Sequence, residues 1–531
     1  MLILIGLVTL GTRLAVLPHS TELNMDADAP HFMNVARCFS RGQGFSNPSA
    51  WPAWMKPERL PMPETFKEPA YPWAISKLTP LAGSPFRAGQ TLSFLAGLFT
   101  PFFTWMLMRR LHPQILAAHV AGLMAAASPL LIAQSSRVMV ESVFAALFTL
   151  LWVTLAPRPG AAGGHARARD LLTDAGAGVL IGALFMLRAQ TLLAGPAIVA
   201  LLLFGSGSPA RALRRAGVIL VAALLTASPF LLRNLRLFGT LFHSDVAAFG
   251  LWPYSDLLTI AATLDRPPAP IGFALHHIPL VLAHVHWSAV RFVGRALPDS
   301  LLGHPLWMVP LAAGVLLSLA RWRQWLFVYL QIGLTMAFIF AVNWDARYFA
   351  SAVPLWCVLA APGAVWLART LGPAPLLGRI RGAHLLAAIV AALVLIQAVI
   401  AVRGVEHQGE ETENAAARTE APFLRAHLAP DEAVMALTTS FYAYWADRPA
   451  VYVVIADAPR FMEVVRRLKV RYAAFPTSAL AELAARYPGG RLPAALIFDH
   501  ASVPNDVTVF RVVDAAGGAG PGASSRPTKS R

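Results

Sequence analysis

The chain has 531 residues, of which 56% are hydrophobic and only 14% are charged, and its mean hydropathy is +0.55. Soluble proteins carry roughly 25% charged residues, so this composition excludes an ordinary soluble, disordered or collagen-like chain. Apolar runs of about 20 residues, the length that crosses a bilayer, recur through the first four hundred positions. The sequence therefore predicts a polytopic α-helical membrane protein with about 11–13 transmembrane helices.

The charge balance points to a membrane partner rather than to nucleic acid. Lys and Arg total 44 against 28 Asp and Glu, which gives a formal net charge of +16. In a soluble domain this excess would suggest nucleic-acid binding, but here the arginines stand mainly at the ends of apolar runs and no base-reading motif accompanies them. Such arginines orient helices and contact lipid phosphates. Cys38 and Cys357 give no disulfide framework or thiolate metal site.

About eleven runs reach spanning length. The first is interpreted as a retained helix, because neither a charged leader nor a small-residue cleavage site accompanies it. Arginines concentrate in the short loops that are internal if the N-terminus is cytoplasmic. With an odd number of helices, this orientation places the C-terminal segment outside the cell membrane. The runs lie near 1–17, 88–108, 114–134, 138–156, 171–187, 191–205, 214–232, 305–320, 324–342, 349–367 and 384–402.

Two long loops interrupt the transmembrane domain expected over residues 1–402. Residues 18–87 form the first expected extracytoplasmic loop and are rich in Pro, Trp and acidic side chains. Residues 233–304 form the second, which includes an apolar stretch at 276–297 that is better interpreted as an interfacial helix than as a full span. If that stretch crossed the membrane instead, the count would become even and the C-terminal segment would be cytoplasmic.

The last part of the chain changes character. Residues 403–514 carry more charge and alternate strand-like with helical runs, which predicts a small α/β domain. Residues 515–531 contain Gly, Ser, Pro and Arg without apolar periodicity and predict a disordered tail. The strand-like runs are Ala433–Leu437, Val451–Ile455, Ala495–Phe498 and Val507–Val513, and a helical run covers Arg460–Leu468.

An acidic segment follows the first apolar run. Asp26 and Asp28 stand just before Pro30 and His31. Carboxylates at the mouth of a membrane cavity can accept a proton from a sugar or phosphate hydroxyl, or bind a divalent metal ion. A solvated loop that caps a helix beginning near Pro30 explains the same residues without any function.

Two further segments combine charge with a position at the membrane boundary. Lys67 and Glu68 form an ion pair beside Tyr71 in a Pro-bounded turn, although an aromatic belt at the interface would need no substrate. Glu141 opens a span, and a carboxylate there is costly unless it is paired. Such a residue is a functional candidate, while a simple pair with Arg137 is the structural alternative.

Three arginines lie at the outer ends of spans, namely Arg188, Arg233 and Arg347. Their forked guanidinium groups match phosphate oxygens and stay charged when partly buried. All three fall on the side of the acidic loop, as a phosphate-bearing lipid substrate would require, but snorkelling to the headgroup region gives the same pattern. The densest group of histidines consists of His276, His277, His284 and His286. Their spacing matches no zinc-binding pattern, and an interfacial helix accounts for them.

Taken in order, these residues resemble the GT-C glycosyltransferases, in particular the branch that contains protein O-mannosyltransferases and the bacterial aminoarabinose transferase that modifies lipid A. The resemblance covers residues 1–370. Two positions depart from the family pattern: Ala29 stands where a second acid is usual, which leaves Asp26 as a substitute, and Gln90 stands where Arg is usual, with Arg87 one turn earlier. The resemblance to this family rests on Leu10–Leu14, Asp28, Phe32, Ala36, Arg37, Gly42–Phe45, Glu68–Pro72, Glu141, Pro229, Arg233, Asn234, Phe238, Gly239, Arg347, Tyr348 and Pro354.

The resemblance implies a transferase that takes a sugar from a polyprenyl-phosphate carrier and passes it, with inversion, to a lipid, glycan or protein acceptor outside the inner membrane. It implies Asp28 as the base, with Asp26 and Glu141 as further catalytic candidates. The phosphate would be held by Arg347, Arg233, Arg188 and Lys67. His31, Glu68, Tyr71 and Tyr348 are expected in the substrate pocket. No certain cofactor follows.

Two other classes of function remain open from the residues. A transporter or lipid flippase would place polar groups near mid-bilayer on broken or repeated helices, whereas the charges here lie at one face. A non-catalytic protein of envelope assembly would leave Asp28, Glu141 and Arg347 far apart in space.

Overall fold

A computed structural model of the chain describes residues 1–156, 166–206, 208–342, 345–371, 375–377, 380–406, 411–502 and 506–513. The expected tail at 515–531 lies outside these residues. The chain divides into two compact units. The first comprises residues 1–47, 63–260 and 267–411, and the second comprises 48–62, 261–266 and 412–531.

The first unit is a bundle of apolar helices, which confirms the polytopic helical class. The helices up to the end of the bundle are α1 Leu2–Val16, α2 Asp28–Ser40, α3 Ala70–Ala82, α4 Pro85–Leu111, α5 Ile115–Ala127, α6 Pro129–Ser136, α7 Val140–Leu155, α8 Ala166–Leu187, α9 Gly195–Gly205, α10 Pro209–Phe238, α11 Leu257–Ala262, α12 Pro270–His276, α13 Ile278–Arg291, α14 Met308–Leu319, α15 Trp322–Val342, α16 Val353–Leu371 and α17 Gly382–Glu406.

Among the described residues, five helices are long and apolar enough to cross a membrane, or seven if each of two bent helix pairs counts as one span. Shorter apolar helices correspond to other predicted spans and cover Val140–Leu155, Leu171–Leu187, Ala189–Gly205 and Val390–Val405. The five long ones are Leu2–His19, Pro85–Leu111, Pro209–Phe238, Trp322–Val342 and Val353–Thr370.

The predicted span at 114–134 is broken in the middle. Helices α5 and α6 meet at an angle of 52°. Pro129 lacks an N–H donor and disfavours the helical conformation in the residue before it, and Ser128 accordingly has ψ 122°. Arg13 of α1 is fully buried and donates to the carbonyl groups of Ala125 and Ala126 at this break. A guanidinium therefore replaces part of the hydrogen bonding that the broken helix has lost.

The second bent pair covers the stretch that the sequence leaves ambiguous. Residues Ile278–Leu301 and Pro305–Leu319 meet at 105°, and Phe292–Leu301 is a π-helix. Helix α14, in the second half of this pair, crosses α16 at very short distance. A Cβ atom added to Gly314 of α14 would lie 1.8 Å from the carbonyl oxygen of Leu359 in α16, so only glycine permits this crossing.

The second unit is an α/β fold, as the C-terminal sequence predicts. Its sheet has the strand order β2-β7-β6-β8-β10-β9, in which the first four strands are parallel and β10 is antiparallel to both neighbours. Strand β8 was not predicted from sequence. The strands of the chain are β1 Ser46–Asn47, β2 Ser49–Ala50, β3 Met62–Pro63, β4 Pro375–Leu377, β5 Ile380–Arg381, β6 Ala433–Ala436, β7 Ala450–Tyr452, β8 Val470–Pro476, β9 Leu496–Ser502 and β10 Val507–Val512. The helices are α18 Thr412–His427, α19 Thr439–Ala446, α20 Ala458–Arg467 and α21 Leu480–Arg486.

Candidate active site

The acidic segment after α1 turns directly into α2. Asp28 is the first residue of α2, and its backbone N–H donates to Asp26 Oδ1 over 3.1 Å. Asp26 thus accepts the first N–H of the helix, although the N-cap residue Ala27 makes no side-chain cap bond. This is not the only contact of the two carboxylates, because both side chains also bind cationic groups from distant parts of the chain.

Arg347 joins the two aspartates. Its Nη1 donates to Asp26 Oδ1 over 3.0 Å, and its Nη2 lies 3.0 Å from Asp28 Oδ2. Its Nε lies 2.8 Å from Asp345 Oδ2, at an angle too poor for a hydrogen bond. Asp345 also accepts the backbone N–H of Arg347 over 3.0 Å, which fixes the turn. The planar fork of one arginine therefore joins two carboxylates from the other end of the bundle sequence, the first of them 321 residues away.

Lys67 completes the environment of Asp28. Its Nζ donates to Asp28 Oδ1 over 2.7 Å and lies 5.4 Å from the centre of the Phe32 ring. Burial raises the pKa of Asp28, but Lys67 and Arg347 together outweigh it and hold the pKa well below its usual range. Burial also lowers the pKa of Lys67, and Asp28 more than restores it. Both groups are therefore charged at neutral pH.

A buried carboxylate that the sequence did not suggest fixes Lys67 in place. Glu64 is 2% exposed, and its Oε1 accepts the backbone N–H groups of Phe66 and Lys67 over 2.5 and 2.9 Å. Its Oε2 accepts from Asn47 over 2.8 Å and lies 2.9 Å from His31 Nε2. Burial raises the pKa of Glu64, but His31 and the two backbone donors lower it to about 2. His31 is thus committed to this network and does not face the aspartates with its Nε2.

Changing Glu64 to Gln is expected to destabilise the protein by about 1–3 kcal/mol, because an amide N–H₂ would then face the Asn47 donor inside a buried site. The native pKa is depressed, so the stabilisation is fully present above about pH 4.3 and is lost as the pH falls toward 2. Thermal unfolding of the detergent-solubilised protein at pH 7 and at pH 3 measures both effects. Glu58→Gln, at an exposed position of the same loop, is the control. Equal unfolding temperatures for wild type and Glu64→Gln would contradict the expectation.

A second ion pair lies on the other side of Arg347. Arg188 Nη1 donates to Glu141 Oε1 over 2.8 Å, so Glu141 pairs with Arg188. The Tyr348 ring lies 4.8 Å from the Arg188 guanidinium and 5.3 Å from that of Arg347, so both cations contact one ring. Glu141 is 2% exposed, and its Oε2 has no hydrogen-bond partner among the described residues.

The remaining predicted residues contact the site unequally. Glu68 Oε1 accepts the backbone N–H of Ala189, next to Arg188, over 2.9 Å, and burial raises the pKa of Glu68. Arg233 holds the loop itself, because its Nη2 donates to the carbonyl groups of Phe45 and Glu64 over 3.1 and 2.9 Å.

Tyr71 is not brought into the charged cluster. It is 1% exposed, and its hydroxyl contacts the Gly89 carbonyl over 3.1 Å and Ser93 Oγ over 3.0 Å. Both partners belong to α4. The described contacts of this hydroxyl therefore serve the packing of α3 on α4 rather than the recognition of a ligand.

Lys67 also lines a cavity of about 140 Å³. Glu64 and Glu68 also line it with polar groups, and Phe185, Phe230 and Phe242 add apolar surface. An amphiphile with a charged head and an apolar chain fits such a lining.

The carboxylates of the cluster do not suit a metal ion as they stand. Asp26 and Asp28 pair with Arg347, and Asp28 also pairs with Lys67. In the part of the chain that the structure describes, no group of three or more His, Cys, Asp or Glu residues is placed to hold a metal ion. Within these described residues, the divalent ion that the sequence leaves open therefore has no ready donor set.

Comparisons with known proteins agree with this architecture. Residues 63–232 match the family model described as dolichyl-phosphate-mannose-protein mannosyltransferase. The structure of ArnT from Cupriavidus metallidurans bound to undecaprenyl phosphate is 14% identical, with a TM-score of 0.57 over 98% of this chain and 99% of that one. The archaeal oligosaccharyltransferase AglB from Archaeoglobus fulgidus, in complex with an inhibitory peptide and a dolichol-phosphate, is 13% identical, with a TM-score of 0.62 over 96% of this chain and 74% of that one. No curated protein sequence matches the chain significantly.

Proposed function

Because the chain has the fold of the GT-C membrane glycosyltransferases, we propose that it transfers a sugar from a polyprenyl-phosphate carrier to an acceptor outside the inner membrane. The observation that carries the proposal is the contact of Arg347 with both Asp26 and Asp28. Lys67 contacts the second carboxylate oxygen of Asp28. Two cations and a carboxylate within hydrogen-bonding distance supply the two charges that the reaction needs: one to hold a phosphate and one to take a proton.

The donor phosphate is the natural competitor for the cations of this cluster. In the ligand-free protein, Lys67 and Arg347 are neutralised by Asp28 and Asp26. A phosphate that approaches along the Lys67 cavity takes over part of these hydrogen bonds, since both cations donate well to its oxygens. ArnT and AglB were solved with polyprenyl-type phosphates, which supports this ligand class for the present chain.

Phosphate binding also makes Asp28 a better base. A carboxylate whose pKa is held far below its usual range accepts protons poorly. When the phosphate shares the charge of Lys67 and Arg347, less positive charge acts on Asp28, while its burial remains. The pKa of Asp28 then rises toward that of an ordinary buried carboxyl group. The base is thus activated only when the donor is present.

The transfer itself is a single displacement. An acceptor hydroxyl attacks the anomeric carbon, the bond from that carbon to the phosphate oxygen breaks, and Asp28 takes the hydroxyl proton. The polyprenyl phosphate leaves with the bonding electrons, and Arg347 and Lys67 stabilise its charge. Attack from the side opposite the leaving group inverts the configuration. Arg188 and Glu141, beyond Tyr348, position Arg347 through the shared ring.

The test uses the purified full chain in lipid vesicles with a panel of polyprenyl-phosphate sugars and a cell-envelope extract as acceptor. We expect one donor to release free polyprenyl phosphate in step with labelled acceptor. Movement of intact donor across the vesicle membrane, without cleavage, would instead support a flippase. No release from any donor, by a preparation that binds polyprenyl phosphate, would overturn the proposal.

A further inference from the structure

A second cavity lies at the other end of the helices that present Arg347. It has a volume of about 360 Å³ and is lined by residues that include His112, Arg321 and Arg369. Arg321 directly precedes α15, and Asp345 and Arg347 follow its other end. The 21 residues of α15 span about 30 Å, so the cavity is roughly one membrane thickness from the charged cluster.

The cavity is basic. His112 follows the last residue of α4, Arg321 precedes α15 and Arg369 lies in the last turn of α16, so three helices each bring one basic side chain to it. Of the described residues that line it, none is Asp or Glu. Within the described part of the chain, neither guanidinium has a carboxylate or hydrogen-bonding partner. In contrast, Arg188 and Arg347 at the other end are both paired with acids.

The surroundings are those of a membrane interface. Trp325 and Trp366 also line the cavity, and Trp366 is 46% exposed. Outside it, Leu316 and Leu319 at the end of α14 are 69% and 51% exposed. Tryptophan at the level of the headgroups and leucine toward the acyl chains are the usual lipid-facing arrangement. A lipid can use both the basic groups and this apolar border, whereas a free anion uses only the basic groups, so a lipid suits this cavity better.

We propose that this cavity binds the phosphate headgroup of an anionic glycerophospholipid in the opposite leaflet from the charged cluster. Arg321 and Arg369 donate to the phosphate oxygens, and His112 adds a third donor at the end of α4. The acyl chains lie against the exposed leucines of α14. A bound lipid would link the C-terminal ends of α4 and α16 to the start of α15, and so brace α15 and α16, whose other ends flank Arg347.

Native mass spectrometry of the intact chain, released from detergent, tests the proposal with phosphatidylglycerol as the probe. We expect one phosphatidylglycerol to be retained, and phosphatidylcholine, which has the same phosphate but no net charge, to be retained at least about tenfold less well. Double replacement of Arg321 and Arg369 by Gln should weaken phosphatidylglycerol binding by about tenfold for each guanidinium removed. Arg323→Gln is the matched control, because Arg323 lies beside the Trp322 ring and does not line the cavity.

Three results would overturn the proposal. The first is equal phosphatidylglycerol retention by the double variant and by Arg323→Gln. The second is equal retention of the two lipids by wild type. The third is displacement of phosphatidylglycerol by inorganic phosphate at millimolar concentration, which would identify a free-phosphate site. Binding is read directly here, so failure of this proposal leaves the proposed transferase activity untouched. A circular dichroism spectrum of the double variant that matches wild type would show that any loss of lipid binding is not caused by unfolding.

Discussion

Changing Asp28 to Asn is expected to lower kcat for sugar transfer by about 10²–10⁴, the usual effect of removing a general base. The amide keeps the shape of the carboxyl group but cannot accept the acceptor proton. It also cancels the charge that holds Lys67 and Arg347 in the ligand-free protein. Donor binding should therefore persist or tighten while turnover falls, so kcat should drop without any rise in KM.

Two measurements separate this outcome from simple misfolding. Binding of polyprenyl phosphate to Asp28→Asn should remain at least as strong as in wild type, because both cations are still present. Asp256→Asn is the matched control: Asp256 is exposed and accepts the backbone N–H of Leu258 at the start of α11, which Asn can also do. Near-wild-type turnover by Asp28→Asn would remove Asp28 from the catalytic role.

Changing Lys67 to Met is expected to lower transfer by about 10²–10³ at neutral pH, as when one preorganised donor to a developing charge is lost. It should also change the pH profile of kcat/KM. In the free enzyme, Lys67 and Arg347 outweigh burial and keep the pKa of Asp28 low, so the wild-type kcat/KM loses nothing to protonation of Asp28 between pH 5 and 7. Without Lys67 the pKa of Asp28 rises, and the acidic limb of the profile moves to higher pH.

Rates measured from pH 5 to 8 with a single donor show whether the limb moves. Lys77→Met is the matched control, because Lys77 lies on the exposed face of α3, ten residues along the chain. An unchanged profile in Lys67→Met would mean that Lys67 does not control the ionisation of Asp28. A profile that moves to lower pH would contradict the sign derived from the ion pair.

The sequence predicted the fold class better than the breaks within it. Apolar runs of spanning length are visible residue by residue, and the bundle follows from them. The 52° bend at Ser128 is less visible, since the run on both sides of Pro129 is continuously apolar. Strand β8 was also not predicted, because most of its residues are buried and its sequence lacks the alternation of apolar and polar residues that marks a half-exposed strand.

The site residues also divide into those that the sequence predicted and those that it did not. Asp28 and Arg347 belong to motifs that carry a family resemblance, and the fold brings them into contact. Glu64 belongs to no recognised motif and lies 33 residues from His31 in sequence. Nothing in the neighbouring sequence indicates that it is buried and accepts the backbone N–H of Lys67. Tyr71 belongs to a motif yet packs between α3 and α4. A motif records that a residue matters, but its contacts depend on side chains from distant segments.

The pairing of Asp26 with Arg347 spans 321 residues and has a consequence for biogenesis. During synthesis, Asp26, Asp28 and Lys67 leave the ribosome long before Arg347. Until that arginine arrives, the three early members of the cluster carry two acids against one ammonium. In a nascent or truncated chain that stops before residue 347, Asp28 can still pair with Lys67, but Asp26 lacks the Arg347 guanidinium. Completion of the electrostatic cluster therefore reports that the late helices have joined the early ones.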